Sequence, residues 1–246
     1  MKIVAMIPAR FNSERLPGKL MMDLGGIPII LRTYNNAKKS RLFNEVYVIT
    51  DSKIIFELIK KNGGIAFMSS VKQDSGSDRI AEFVNDIDAD LILNVQGDEP
   101  FIDKPSLKKL IDVFNNDSQS KIELASLMQY INDKDEIVNP NNIKVVVTKD
   151  NYAIYFSRSV IPYNRSSDPK IKYYKHVGVY AFRKNTLIDF YKLKPSSLEK
   201  SEKLEQLRYI ENGKNIKMVK TDYKGYGIDV MEDLINARKM INAENS

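Results

Sequence analysis

Three cations within ten residues, Arg10, Arg15 and Lys19, follow the apolar run Ile3-Val4-Ala5-Met6-Ile7 and the dipeptide Pro8-Ala9. Pro17-Gly18 lies between them as a tight-turn dipeptide, because Pro presets φ and Gly accepts the positive φ of a sharp reversal. Cations gathered on such a turn suit an extended polyphosphate: Arg grips phosphate oxygens in pairs and Lys adds a compact charge. A solvated basic loop would have the same composition. Two carboxylates could complete the chemistry. Asp98 stands in Gln96-Gly97-Asp98-Glu99-Pro100, after the apolar run Leu91-Ile92-Leu93-Asn94-Val95, and Asp229 ends Gly225-Tyr226-Gly227-Ile228-Asp229. Either suits Mg²⁺, a hard cation that takes one or two carboxylates and fills its shell with substrate phosphates and water. The plainer readings are a turn for Asp98 and a helix N-cap for Asp229. Two acids so distant in sequence meet only through the fold.

Other residues offer polar recognition. The loop Gln73-Asp74-Ser75-Gly76-Ser77-Asp78-Arg79 leads into a helix and suits an anion or a polar base, with Ser77 as a candidate N-cap. Tyr155-Phe156-Ser157-Arg158 ends a strand in an arginine able to grip a carboxylate. His176 opens a strand that also carries Tyr180, and Glu205 and Gln206 share the helix expected at residues 203–212. The segment Lys170-Ile171-Lys172-Tyr173-Tyr174-Lys175-His176 interleaves cations with aromatics, and reads as a solvated loop entering a strand rather than a nucleic-acid track.

The elements that must position these groups are legible from periodicity. Short buried runs at residues 3–7, 46–50, 65–68 and 91–95 alternate with helical spacing at 29–39, 53–62 and 78–84, with Gly63-Gly64 stopping the second helix. That alternation implies an open parallel sheet, with ligands beyond the carboxyl ends of the strands, where Arg10, Asp51, Ser69 and Asp98 would emerge. The second half is less regular: strands at 124–130, 143–148, 153–156 and 177–182, helices near 184–193 and 203–212, and a closing helix from Val230. Residues 132–142 are polar and read as a connection. One continuous domain over residues 1–246, with a lid-like or dimerising region at about 130–212, is the expectation.

Composition narrows the chemistry. The chain has no Cys and a single His, which excludes disulfides, thiolate zinc sites, cysteine nucleophiles and multi-histidine metal sites, so any metal must be held by oxygen. The net charge of +6 is spread along the chain, which fits an anionic small-molecule substrate and no nucleic acid. The N-terminal apolar run is too short for a signal peptide and no later run approaches a membrane span, so a cytoplasmic protein with no membrane partner is expected.

Taken in order, Pro8-Ala9-Arg10, Arg15-Leu16-Pro17-Gly18-Lys19, Gln96-Gly97-Asp98-Glu99-Pro100, Tyr155-Phe156-Ser157-Arg158, His176-Val177-Gly178-Val179-Tyr180, Leu204-Glu205-Gln206-Leu207-Arg208 and Gly227-Ile228-Asp229 make the chain resemble the 3-deoxy-manno-octulosonate (Kdo) cytidylyltransferases. The resemblance implies an α/β, Rossmann-like nucleotide-diphospho-sugar transferase fold, with a mostly parallel central sheet and a smaller dimerisation or lid region. It implies a Mg²⁺-dependent homodimer that joins CTP to Kdo in lipopolysaccharide biosynthesis, giving CMP-Kdo and pyrophosphate. By the same resemblance, Lys19, Arg10, Asp98 and Asp229 would be catalytic. Pro8, Ala9, Arg10, Arg15, Lys19, Ser75, Gly76, Arg79 and Asp98 would bind the nucleotide. Asp98 and Asp229 would hold the metal. Gln96, Arg158, His176, Tyr180, Glu205 and Gln206 would surround the sugar acid.

The chain departs from the family pattern in places. It has Lys72-Gln73-Asp74 before Ser75-Gly76-Ser77-Asp78-Arg79 where relatives carry Asp-His-Gln before Ser-Gly-Thr-Glu-Arg, Pro162-Tyr163 for Pro-Trp, and Pro195-Ser196-Ser197-Leu198-Glu199 for Pro-Ser-Pro-Leu-Glu. A substituted octulosonate such as 8-amino-Kdo, or another sugar acid, is therefore an alternative substrate. A sugar 1-phosphate nucleotidyltransferase, a glycosyltransferase using Asp98 as metal ligand, and a nucleotide-binding regulatory module without catalysis are the competing functions.

Overall fold

Strand β1 (Ile3–Ala9) is the axis on which the first half of the chain is built: Val4, Ala5, Met6 and Ile7 have no solvent exposure. The computed structural model describes residues 1–13, 15–69, 73, 75–166, 170–223 and 227–244. Lys72, Asp74, Gly225 and Tyr226, named above, lie outside them. The chain divides into two units, Met1–Leu107 with Lys224–Ser246, and Lys108–Tyr223.

In the first unit β1 pairs in parallel with β2 (Glu45–Thr50) and β4 (Leu91–Val95), and β3 (Ile65–Met68) extends the β2 edge, giving the order β3-β2-β1-β4. Strands covered on both faces read as continuous apolar runs, as β1 and β4 do, whereas the edge strand β3 leaves Ile65 and Met68 exposed. The order reverses between β1 and β4, so the loops leaving their carboxyl ends part there and leave a crevice between them. Helix α1 (Ile29–Ser40) buries Ile29, Ile30, Thr33 and Ala37, one face at helical spacing. Helix α2 (Lys53–Lys61) starts at Ser52, whose Oγ accepts from the Ile55 N–H, and closes before Gly63 at φ +71°. Helix α3 occupies Gly76–Ala81, two residues earlier than expected, because Ser75 and not Ser77 is its N-cap: the Asp78 N–H donates to Ser75 Oγ at 3.1 Å. Helix α9 (Met231–Glu244) closes the unit.

The boundary between the units falls within helix α4 (Lys104–Asn115), which the sequence reading did not assign although Leu107, Leu110, Ile111 and Phe114 recur at helical spacing and are all buried. In the second unit β5 (Leu124–Ile131) lies between β8 (Tyr173–Arg183), antiparallel, and β9 (Ile216–Thr221), parallel. β6 (Lys144–Val147) pairs antiparallel with β7 (Ala153–Ser157) and meets β8 at Lys144 and Lys175. β9 is also unassigned in the sequence reading, since Lys217 and Lys220 interrupt its apolar residues. The polar stretch after β5 holds a short helix, α5 (Lys134–Val138), capped by Asp133. Helix α6 (Lys184–Lys192) follows β8.

The helix expected over 203–212 is α8 (Gln206–Glu211), and a helix the sequence reading did not assign, α7 (Ser197–Glu202), precedes it across a break at Lys203, φ +54°. The break has a physical cause. Ser196 and Glu199 form a capping box at the start of α7. The chain then turns back so that Arg208, 1% exposed, donates from Nε and Nη2 to the two oxygens of Glu199 at 2.8 and 2.6 Å, with its guanidinium 4.7 Å from the Phe190 ring centre. A straight helix would hold the two residues nine positions apart along its axis, out of reach of this bidentate pair. Arg208→Met leaves Glu199 as a buried charge without its partner and is expected to cost about 3 to 5 kcal/mol. Urea denaturation checks this: the midpoint should fall with the slope unchanged.

Candidate active site

The loop after β1 turns at Gly18, whose φ of +69° is left-handed and accessible to glycine without strain. The Lys19 N–H closes the turn on Leu16 O at 3.1 Å, and a single 3-10 turn, Lys19–Met21, follows. Leu16 and Leu20 are buried and anchor the turn to the core, so the Lys19 stem enters the protein between them and the residue is only 6% exposed. Its Nζ donates to Asp98 Oδ2 at 2.6 Å and to Asp229 Oδ1 at 3.0 Å. Arg15 Nη2 lies 3.1 Å from the other Asp229 oxygen. Burial disfavours the Lys19 charge, but attraction and hydrogen bonds from Asp98 and Asp229 outweigh it and hold the pKa above 10.5.

Two backbone features bring the acids to one ammonium. Gly97 packs where a Cβ would stand 2.9 Å from Pro8 O, so only glycine lets the turn after β4 close on β1. The Gly97 carbonyl also accepts from buried Thr33 Oγ1 at 2.9 Å. The Ile228 N–H then donates to Asp98 O at 2.9 Å, which lays the segment before α9 beside that turn. The sequence left Asp229 open as an N-cap. In the structure Asp233 Oδ2 accepts from the N–H groups of Asp229 and Val230, at 2.8 and 3.0 Å, while the Asp229 carboxylate faces Lys19 and Arg15.

Among the described residues no group of three or more His, Asp and Glu side chains is placed to hold a metal ion. The Asp98–Asp229 pair has a donor set that fits Mg²⁺. Its two oxygens on Lys19 Nζ are no more than about 6 Å apart, two hydrogen-bond lengths, they already bind one cation in common, and Mg²⁺ needs only one or two carboxylates beside phosphate oxygens.

The other residues of the first unit fall on the same loops. Arg10 is exposed at the end of β1 and makes no ion pair among the described residues. Pro8 and Ala9 are the last residues of β1, and Gly76 packs against Pro8 and the Gln96 amide, at 3.1 and 3.0 Å from a would-be Cβ. Gln96 Nε2 donates to Asn94 Oδ1 at 3.1 Å, and Asn94 Nδ2 donates to Ser77 Oγ at 3.0 Å. Asn94 is thus a positioning residue absent from the sequence reading; the signal was a lone amide in an otherwise apolar strand. Arg79, also buried, donates to Asp51 Oδ2 at 2.9 Å, Asp51 Oδ1 accepts from the Phe11 N–H at 3.2 Å, and Arg79 Nη1 has no partner among the described residues.

In the second unit Arg158 bonds through its guanidinium to backbone carbonyls and makes no ion pair among the described residues. Its Nε donates to Glu202 O at 2.8 Å and Nη1 to Pro140 O at 3.1 Å, while its backbone N–H takes Glu202 Oε2 at 3.0 Å. Buried Lys144 donates to the Arg158 and Asn139 carbonyls, at 2.7 and 2.9 Å. His176 lies within β8 rather than at its start, 2.8 Å from Ser126 Oγ. Tyr180 donates to Gln206 Oε1 at 3.1 Å, and burial, followed by nearby Glu205, pushes its pKa well above 10. Glu205 is the N-cap residue of α8, and Gln206 its first residue. Histidine, tyrosine and glutamine therefore form one cluster, with Arg158 tied to the loop beside α7.

Comparison with known proteins identifies the family. A cytidylyltransferase family model matches residues 4–216. A 3-deoxy-manno-octulosonate cytidylyltransferase of Flavobacterium johnsoniae is 57% identical over 98% of this chain and 99% of its own. Its counterpart from Christiangramia forsetii is 53% identical over 98% and 97%. The solved structure of a CMP:2-keto-3-deoxy-manno-octonic acid synthetase complexed with CTP, 37% identical, matches 99% of this chain and all of its own at a TM-score of 0.92, with the same α/β class and mostly parallel central sheet. Identity of this order over nearly the full length of both partners, on a shared backbone, means that the chain belongs to the 3-deoxy-manno-octulosonate cytidylyltransferase family.

Proposed function

We propose that the protein is a Mg²⁺-dependent cytidylyltransferase that joins CTP to Kdo, releasing pyrophosphate and CMP-Kdo. The observation that carries this reading is the single ammonium of Lys19 held between Asp98 and Asp229, beside Arg15. Cations placed against carboxylates able to take a divalent ion are what transfer of a nucleotidyl group asks for, since in-line attack at phosphorus needs alignment and charge neutralisation more than a protein base.

In this mechanism Arg10, Arg15 and Lys19 take the triphosphate. Lys19 is the group that changes partner: phosphate oxygens compete for an ammonium now shared by two acids, and the acids released would hold Mg²⁺. When bound, Mg²⁺ would neutralise phosphate charge and polarise the attacking hydroxyl. Lys19 would then offset the charge that develops on the departing pyrophosphate. Pro8, Ala9, Ser75 and Gly76 offer small side chains and backbone groups for the cytidine. Arg79 orders that loop through Asp51, and its buried Nη1 has no hydrogen-bond partner among the described residues. The chain's single histidine need not act as a base, and burial, which pushes its pKa down to about 3, makes it a poor one at neutral pH. The reading extends to a homodimer working in the cytoplasm for lipopolysaccharide biosynthesis; no helix among the described residues is long and apolar enough to cross a membrane.

Incubation with Mg²⁺, Kdo and each of the four common nucleoside triphosphates tests the reading: pyrophosphate should appear with CTP and stop on chelation. Nucleotide binding without turnover over a panel of sugar acids, 8-amino-Kdo included, would point to a regulatory module. Asp98→Asn and Asp229→Asn should each lower kcat by about a hundredfold or more with the unfolding transition preserved, and normal turnover in either would remove that residue from the metal site. Lys19 supplies a ligand-free test. Its raised pKa means that the stabilisation from its charge is complete below 10.5 and is lost as pH rises through the higher folded value. In Asp98→Asn, burial is less opposed, so ¹⁵N detection of Lys19 Nζ should show deprotonation at lower pH than in the parent protein.

A further inference from the structure

Ser126 is fully buried in β5, and its hydroxyl has more neighbours than protons. Oγ lies 2.8 Å from His176 Nε2, 2.8 Å from Val179 O and 3.5 Å from Val177 O. A carbonyl only accepts, so the single hydroxyl proton goes to Val179 O, the shorter of the two carbonyl contacts. The oxygen then has lone pairs for Nε2, and Nε2 must carry a proton. The opposite assignment, hydroxyl to Nε2, would set two oxygens 2.8 Å apart with no proton between them.

The backbone is shaped to this end. Opposite Ser126 the β5–β8 register slips: Ser126 faces Tyr180 and Leu127 faces Val177, which leaves Gly178 and Val179 of β8 without partners on β5. Bulges of this kind re-aim groups beside functional sites, and here the slip leaves the Val179 carbonyl to the serine hydroxyl.

We propose that Ser126 is a positioning residue that locks neutral His176 in its Nε2–H tautomer, so that Nδ1 presents a hydrogen-bond acceptor to a hydroxyl of the sugar acid. The inference rests on the proposed Kdo reaction for the identity of the hydroxyl, and on geometry alone for the tautomer. His176 keeps some solvent access, and Nδ1 has no hydrogen bond among the described residues. The surroundings favour the neutral ring. Met128 stands opposite it on β5, the Phe156 and Tyr180 rings lie 5.2 and 5.3 Å away, and the backbone N–H of His176, not the ring, is the donor to Ile143 O. The charged groups on the packed strands are committed elsewhere: Lys175 to Glu136, and Lys144 to the Asn139 and Arg158 carbonyls. Glu205 acts on Tyr180, whose hydroxyl donates to Gln206. Burial accordingly moves the imidazole pKa down, the direction that keeps it uncharged. A ring in this state accepts from an O–H and cannot donate from Nδ1 to a carboxylate, so it selects the hydroxyl face of a polyhydroxy acid.

Because His176 is the only histidine, ¹⁵N-histidine labelling gives a spectrum with two ring nitrogens and no overlap. Long-range ¹H–¹⁵N correlation on the ligand-free protein should show a protonated Nε2 and an unprotonated Nδ1, unchanged between about pH 5 and 8. A protonated Nδ1, a tautomer mixture, or titration in that range overturns the lock. Ser126→Ala should mix the tautomers and raise KM for Kdo about tenfold, with KM for CTP within about twofold, and Ser126→Thr, which restores the hydroxyl, should recover both. A changed tautomer with unchanged KM for Kdo overturns the recognition role. Lack of turnover in the parent protein with every sugar acid overturns the proposed reaction instead, and the spectrum still decides the tautomer.

Discussion

An ammonium shared by two carboxylates is the constraint on which the first unit depends. Lys19 is nearly buried, and a buried cation without partners would be expelled or neutralised. Asp98 and Asp229, brought within a few ångströms of each other, would repel without a cation between them. Each charge is therefore tolerable only because the others are present, and the pKa of Lys19 moves up despite burial. The arrangement carries one positive and two negative charges, and Arg15 balances the excess at its edge. Such a cluster is stable and also exchangeable, since anionic phosphate can replace a carboxylate at the lysine and a divalent cation can replace the lysine at the carboxylates.

Different devices hold polar groups in the second unit. Lys144 is caged by carbonyl oxygens, and the Arg158 guanidinium by two more. Glu202 closes this loop by accepting from Ser157 Oγ at 2.6 Å and the Arg158 N–H at 3.0 Å. Arg208 and Glu199 neutralise one another in a bidentate pair. Beside these paired charges stands a cluster of neutral groups, the His176 ring, the Tyr180 hydroxyl and the Gln206 amide. Neutral donors and acceptors of fixed orientation suit a substrate rich in hydroxyls, because direction distinguishes one hydroxyl from another where charge cannot.

The first unit was the more legible in sequence. Its strands are continuous apolar runs bounded by turn residues, and β3 and β4 have the limits that hydrophobicity suggests. The second unit was harder to read because its elements are half-buried and carry lysines, as in β9, or turn on one residue of positive φ, as at Lys203 between α7 and α8. Site residues divide in the same way. Arg10, Arg15, Lys19, Asp98 and Asp229 stand out because a charge beside glycine or proline at a strand or helix end is conspicuous. Asn94, Thr33 and Ser126 do not, since a small polar residue inside an apolar strand or helix is read as part of the core until its partners are known.

Residue type and order determined by themselves the α/β class, the limit that one histidine and no cysteine leave only oxygen ligands for any metal, and the list of charges able to meet a triphosphate. Only the tertiary structure decided which of those charges meet. Asp98 and Asp229 share Lys19 because the Ile228 N–H bonds to Asp98 O and Gly97 lets the β4 turn close on β1. Arg79 turns inward to Asp51, and the tautomer of His176 follows from the bulge opposite Ser126. The reason is physical: propensity and periodicity act over a few neighbouring residues, whereas a charge or a proton is placed by hydrogen bonds between segments that only folding brings within about 3 Å of each other.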